Sequence, residues 1–224
     1  MTGTESLAGR AIYVVGRHTA LTVFRLWNRI SVSGLENIPY GSCVWAPVHR
    51  SYIDTLVHAV VPVPLRFMAK KSMWKYRPVG WAFDALGAIP VARSAAGGVE
   101  SLRIALAELE SGGRPMVTFP EGGRRDGPRV HPLEPGAVYM AARAQVPIVP
   151  VGIGGTAAAL PRGARFMYPR RIRVVIGEPM EPLPRGPTGR VSRSAVNRAS
   201  AELRERIQTL FDEANAFVGT PNEY

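Results

Sequence analysis

The chain has 224 residues, enough for one sizeable domain with its own hydrophobic core, and its 46% hydrophobic and 20% charged content excludes a disordered, collagen-like or low-complexity sequence. Its one cysteine, Cys43, excludes a disulfide scaffold and a zinc–thiolate cluster, so a reducing compartment is expected. A net charge of +11 calls for an anionic partner, which is nucleic acid, an anionic membrane surface or a phosphorylated substrate.

The first expected element is a helix from about Leu7 to Ile30. At 3.6 residues per turn, Arg10, Arg17, His18, Arg25, Asn28 and Arg29 share one arc, and Ile12, Val15, Val23, Phe24, Leu26, Trp27 and Ile30 share the opposite one. That pattern suits a basic amphipathic helix lying in a membrane interface, and equally a helix packed on the domain's own core. Its arginines interrupt the apolar residues, so it reads neither as a secretory signal nor as a spanning helix. The chain is therefore divided into a basic amphipathic N-terminal segment, residues 1–33, whose docking on a membrane or on the core stays open at this point, and one domain, residues 34–224.

From Gly34 onward short apolar runs alternate with helical stretches. Expected strands are Cys43 to Val48, Leu65 to Ala69, Ala88 to Ala92, Met116 to Phe119, Ile148 to Ile153 and Ile172 to Ile176. Expected helices are Tyr52 to Val60, Val79 to Leu86, Gly97 to Glu110 and Gly136 to Ala144. The alternation predicts an α/β fold with a mixed, mostly parallel sheet flanked by helices. Met180 to Thr188, rich in proline and glycine, reads as a linker into a charged closing helix from about Ser192 to Phe217.

The chemistry gathers at strand ends. His49 and Asp54 follow the first expected strand of this region in an H-x4-D spacing, which places a histidine on a turn and a carboxylate in the first helical turn. The carboxylate would fix one imidazole nitrogen while the other removes a proton from a hydroxyl. The same residues fit a helix capping box, Ser51-x-x-Asp54. A metal site of His49, Asp54 and His58 lacks a recognised spacing, and no G-x-S-x-G elbow supports a serine hydrolase. Phe119-Pro120-Glu121-Gly122-Gly123-Arg124-Arg125 sets glycines beside arginines after a strand, which suits a phosphate site or a plain glycine turn with solvated arginines. Arg93, after Gly87 to Ala92, and Lys70 with Lys71 follow other strands in the same way. Val146 to Val151 reads as a buried strand with prolines at irregular positions.

Taken in order, these four segments resemble the motifs of the glycerolipid acyltransferase family that includes 1-acylglycerol-3-phosphate acyltransferase. The resemblance spans about Val32 to Thr156 and implies transfer of a fatty acyl group from acyl-CoA or acyl carrier protein to a glycerol hydroxyl of lysophosphatidate. The position acylated would be sn-2, usual for the family, or sn-1. It implies His49 as general base, Asp54 as its orienting partner, Arg93 and Arg124 as phosphate ligands, Glu121 and Gly122 as shapers of that site, and Lys70 in the same anion cluster. It implies no metal or redox cofactor, and an enzyme on the cytoplasmic face of the cell membrane, peripheral or monotopic. Backbone N–H groups at the helix start after His49 are candidate donors to the thioester oxyanion. Val48 before the histidine and Gly123 in the third motif look similar to the branch that acylates glycerol 3-phosphate, the alternative acceptor. A basic nucleic-acid-binding module would need a basic stripe with interleaved aromatics, which the sequence lacks.

Overall fold

The computed structural model describes residues 7–77, 80, 83–84, 87–91, 95–186 and 191–223. Among them, seven strands form one sheet in the order β1-β7-β6-β2-β5-β3-β4. The strands are β1 (Ser31–Ser33), β2 (Val44–Pro47), β3 (Arg66–Lys70), β4 (Ala88–Val91), β5 (Met116–Val117), β6 (Ile148–Gly154) and β7 (Arg173–Ile176). Only the β6–β7 pairing is antiparallel, so the sheet is mixed and mostly parallel as the alternation predicts.

The helices are α1 (Leu7–Leu26), α2 (Asp54–Val57), α3 (Ala95–Glu110), α4 (Gly136–Ala144), α5 (Thr156–Ala159) and α6 (Arg193–Val218). Strands β2 and β6 are buried throughout, which is why they read as unbroken apolar runs rather than alternating ones. α6 lies directly on β6. A Cβ on Gly152 would stand 2.2 Å from the Leu210 carbonyl, and one on Gly154 would stand 2.5 Å from that of Ala214, so glycine at both positions lets helix backbone touch strand backbone.

The expected helix Tyr52 to Val60 is shorter: α2 stops at Val57 and tightens into a 3-10 turn, His58–Val60, ahead of Pro62. β5 ends at Val117 instead of Phe119, because the chain turns away at Pro120. β1 and α5 are additions to the expected elements. Most of the expected helix Val79 to Leu86, together with Ala92, Arg93 and Thr188, lies outside the described residues. Met180, at the head of the expected linker, exchanges two backbone hydrogen bonds with Ile148 (2.7 and 2.9 Å).

α1 is placed by an unexpected stripe. Leu21, Phe24 and Asn28 are buried, and half-buried Arg17 donates from Nη2 to the Val61 carbonyl at 3.1 Å. The 17-21-24-28 spacing is one helix face, so Arg17 and Asn28 turn inward rather than to water. Directly opposite stand Val15 (65% exposed), Thr19, Thr22, Val23 and Leu26 (78% exposed), an outward face without a charge.

Gly152→Ala should therefore cost about 1–3 kcal/mol or more of stability, since neither backbone can yield without parting helix from sheet. Denaturant unfolding checks this, and a variant as stable as the wild type would contradict the packing.

Candidate active site

Parallel pairing aligns the carboxyl ends of the strands. Register matches Trp45 with Val117 and Val117 with Phe67, so Lys70, three residues on, stands level with Val48 at the edge from which His49 emerges. Nothing is described of the Lys70 side chain, and Arg93 lies outside the described residues.

His49 and Asp54 do meet. His49 Nδ1 lies 2.9 Å from Asp54 Oδ2, and the same oxygen accepts the N–H groups of Arg50 and Ser51, both at 2.7 Å. Asp54 is completely buried, whereas the His49 side chain keeps 15% of its exposure. A carboxylate oxygen only accepts when ionised, so Nδ1 carries the proton, and in the neutral imidazole Nε2 keeps its lone pair. Among the described residues Nε2 makes no hydrogen bond. The ring stacks on Phe119, with centroids 3.9 Å apart and planes at 22°, which fixes its second degree of rotation.

The capping-box alternative is half realised. Asp54 reaches back to the Ser51 N–H as such a box requires, but the Ser51 hydroxyl donates instead to the Leu160 carbonyl at 2.9 Å. One carboxylate thus both braces the turn that leads into α2 and holds the imidazole. The expectation of oxyanion donors after His49 is corrected for Arg50 and Ser51, whose N–H groups are already spent on Asp54.

Glu121 is a buried clasp. Its Oε2 accepts from Arg50 Nη1 at 2.7 Å and from the His49 N–H at 3.2 Å, and its Oε1 accepts the His131 N–H at 3.0 Å. The Arg50 guanidinium, 3% exposed, also donates to the carbonyls of His49, Gly127 and Arg129. In return the Arg125 N–H donates to the His49 carbonyl at 3.0 Å, so the two motif loops are tied in both directions. Glu121 therefore ties the loop that follows β5 to the turn that carries His49 and Arg50. Gly122 adopts φ +72°, and a Cβ there would sit 3.1 Å from Glu134 Cγ. Arg124 is half-buried, its guanidinium 3.4 Å over the exposed Tyr52 ring. A cavity of about 610 Å³ borders the clasp, lined by Arg50, Arg125, Thr156, Arg162 and Phe211; His49 and Arg124 do not line it.

Sequence reasoning passed over Arg50 and gave His58 no part beyond a metal set. An arginine directly after a buried strand and a motif histidine was the available signal for the first. Trp45 Nε1, which can only donate, points at His58 Nδ1 from 3.2 Å and so puts the His58 proton on Nε2. Burial lowers the His58 imidazole from its ordinary 6.5 to about 4; nearby Asp54 opposes the shift and His49 adds to it. No group of three or more potential metal ligands occurs among the described residues.

A mostly parallel α/β sheet that carries a carboxylate-held histidine at its carboxyl edge is a framework for enzymes that draw a proton from a hydroxyl. The statistical model of the Acyltransferase family matches residues 29–154, more than half the sequence, and the chain belongs to that family. It is 29% identical over 170 residues to 1-acyl-sn-glycerol-3-phosphate acyltransferase BAT2, chloroplastic, of Brassica napus, covering 70% of this chain and 49% of that protein. It is 29% identical to the 1-acyl-sn-glycerol-3-phosphate acyltransferase of Pseudomonas aeruginosa over 85% of this chain and 70% of that one. The chain thus spans about half the length of the plant relative, 49%, and more of the bacterial one. The crystal structure of the 1-acyl-sn-glycerophosphate (LPA) acyltransferase PlsC from Thermotoga maritima is similar with a TM-score of 0.69 and 25% identity, over 90% of this chain and 78% of that one.

Because His58 is neutral when folded, the unfolded chain binds the extra proton between its ordinary value of 6.5 and about 4. Its contribution to stability is present above pH 6.5 and is lost as pH falls through that window. Unfolding followed against pH should show a steeper acid-side loss in the wild type than in His58→Gln, and identical slopes would contradict a buried neutral imidazole.

Proposed function

We propose that this chain is a membrane-surface acyltransferase that moves a fatty acyl group from acyl-CoA or acyl carrier protein to the free glycerol hydroxyl of lysophosphatidate, giving phosphatidate. The observation that carries this reading is the buried Asp54 oxygen that leaves His49 Nε2 as a free base at the sheet edge. The names of the relatives support the acceptor.

In the reaction His49 Nε2 takes the proton of the acceptor hydroxyl as its oxygen attacks the thioester carbonyl carbon. The tetrahedral intermediate then collapses, the carbon–sulfur bond breaks, and the imidazolium returns the proton to the departing thiolate. Asp54 stabilises the transient imidazolium without accepting its proton. Arg124, with Arg93 and Lys70, receives the acceptor's phosphate. No metal or redox cofactor takes part.

Docking at the cytoplasmic face of the membrane is the companion proposal. The uncharged outward face of α1 supports it, as does the net charge of +11. Among the described residues no helix is long and apolar enough to cross a membrane.

His49→Ala should lower kcat by on the order of 10²–10⁴ with the fold intact, and Asp54→Asn should fall in the same range by freeing the ring. Arg124→Ala should mainly raise the acceptor KM, by about tenfold or more. Purified enzyme, offered acyl-CoA with 1-acyl lysophosphatidate, 2-acyl lysophosphatidate and glycerol 3-phosphate in turn, checks all three and fixes the acceptor and position. Full activity of His49→Ala would overturn the mechanism.

A further inference from the structure

The segment from Pro161 to Arg171, between α5 and β7, belongs to no motif and takes no part in the reaction described above. It holds four arginines (Arg162, Arg165, Arg170 and Arg171) and no acidic residue. Between them Phe166 is 82% exposed and Tyr168 51%. Exposed aromatics are ordinary on a loose loop, but this loop is not loose. Trp27 Nε1 donates to the Met167 carbonyl at 2.9 Å, and the buried Asn28 amide donates to the carbonyls of Tyr168 at 3.0 Å and Arg170 at 2.9 Å. The Tyr168 N–H donates to the Ala159 carbonyl at 2.7 Å. The backbone is fixed on both sides, and Phe166 is held out in water.

The loop's two ends meet different parts of the molecule. One end is fastened to the C-terminus of α1, where Leu26 and Trp27 are exposed and continue the helix's uncharged outward face. The other is fastened to the catalytic rim: Ser51 Oγ donates to the Leu160 carbonyl at 2.9 Å, Arg162 Nη2 donates to the Arg124 carbonyl at 3.1 Å, and Arg162 Nε pairs with Asp126 at 3.1 Å.

We infer that the loop Pro161 to Arg171 is a second membrane foot, which inserts Phe166 into an anionic lipid surface and sets Arg165, Arg170 and Arg171 among the headgroups. Given the acyl transfer proposed above, it brings the loops that carry Ser51 and Arg124, beside His49, to the bilayer that holds the acceptor. The occupant is lipid rather than a protein partner, because the foot joins an uncharged helix face to Arg165, Arg170 and Arg171, none of which is ion-paired with an acidic residue among the described residues. An apolar body ringed by cations matches acyl chains beneath phosphates.

The test uses the full chain and two variants, Phe166→Ser and the triple Arg165→Gln, Arg170→Gln, Arg171→Gln. Sedimentation with vesicles of phosphatidylcholine containing phosphatidylglycerol should show partitioning of the triple variant at least about tenfold below wild type. Vesicles of phosphatidylcholine alone should bind wild type and triple variant alike. Phe166→Ser should weaken binding to both.

Acyl transfer to vesicle-borne lysophosphatidate should fall in parallel, while transfer to a short-chain acceptor dissolved as monomer stays at the wild-type rate. Phe166→Cys provides a direct reading, since Cys43 is buried and burial pushes its thiol up to about 12, leaving position 166 as the reactive one for an environment-sensitive fluorophore. Its emission should shift to the blue on adding anionic vesicles. Wild-type vesicle binding in both variants, or an unshifted fluorophore, would overturn the foot while leaving acyl transfer intact. Equal loss on dissolved and vesicle acceptors would reduce the loop to a structural role. A wild type that acylates neither acceptor would instead sink the proposed function.

Discussion

One oxygen atom governs the candidate active site of this protein. Asp54 Oδ2 receives the Nδ1–H of His49 and the N–H groups of Arg50 and Ser51, all within 2.9 Å. A buried carboxylate persists in a fold only when donors meet its charge, and here the donors come from the turn that the carboxylate itself shapes. The imidazole, the turn and the start of α2 are therefore one unit. Displacing any donor would loosen the hold on the ring.

A second buried carboxylate ties that unit to the rest of the molecule. Glu121 grips Arg50 and the His49 backbone, so two loops whose linked residues, His49 and Glu121, stand 72 positions apart are held together. Breaking a buried pair of this kind by removing one partner typically costs about 3–5 kcal/mol, because the other charge is stranded. The parallel sheet makes the meeting possible: β2, β5 and β6 all deliver their carboxyl ends to one edge. Stability and the positioning of His49 rest on the same groups.

Much of this was legible in the sequence because buried parallel strands are continuous apolar runs. Trp45 and Val149, each completely buried, sit in such runs, and the strand positions followed. Ser31–Ser33 escaped because a three-residue, half-buried strand of two serines and one valine carries no periodic signal. The inward turn of Arg17 and Asn28 on α1 escaped for a different reason. Each satisfies a specific backbone carbonyl, and hydropathy alone assigns such residues to water. At the site, the spacing of His49 and Asp54 placed the pair correctly but could not say that Asp54 would also half-form the capping box. Arg50 was invisible as a clasp because its partners, Glu121 and the carbonyls of Gly127 and Arg129, lie more than 70 residues away.

The central claim is that Asp54 holds His49 with its proton on Nδ1 and Nε2 bare. Two-bond nitrogen–proton correlation spectra of protein labelled with ¹⁵N histidine read this directly, with His49→Gln supplying the assignment. The account predicts that the His49 ring at neutral pH shows the Nδ1–H tautomer, and that Asp54→Asn shifts it towards the Nε2–H form. A wild-type ring with its proton on Nε2 would contradict the account.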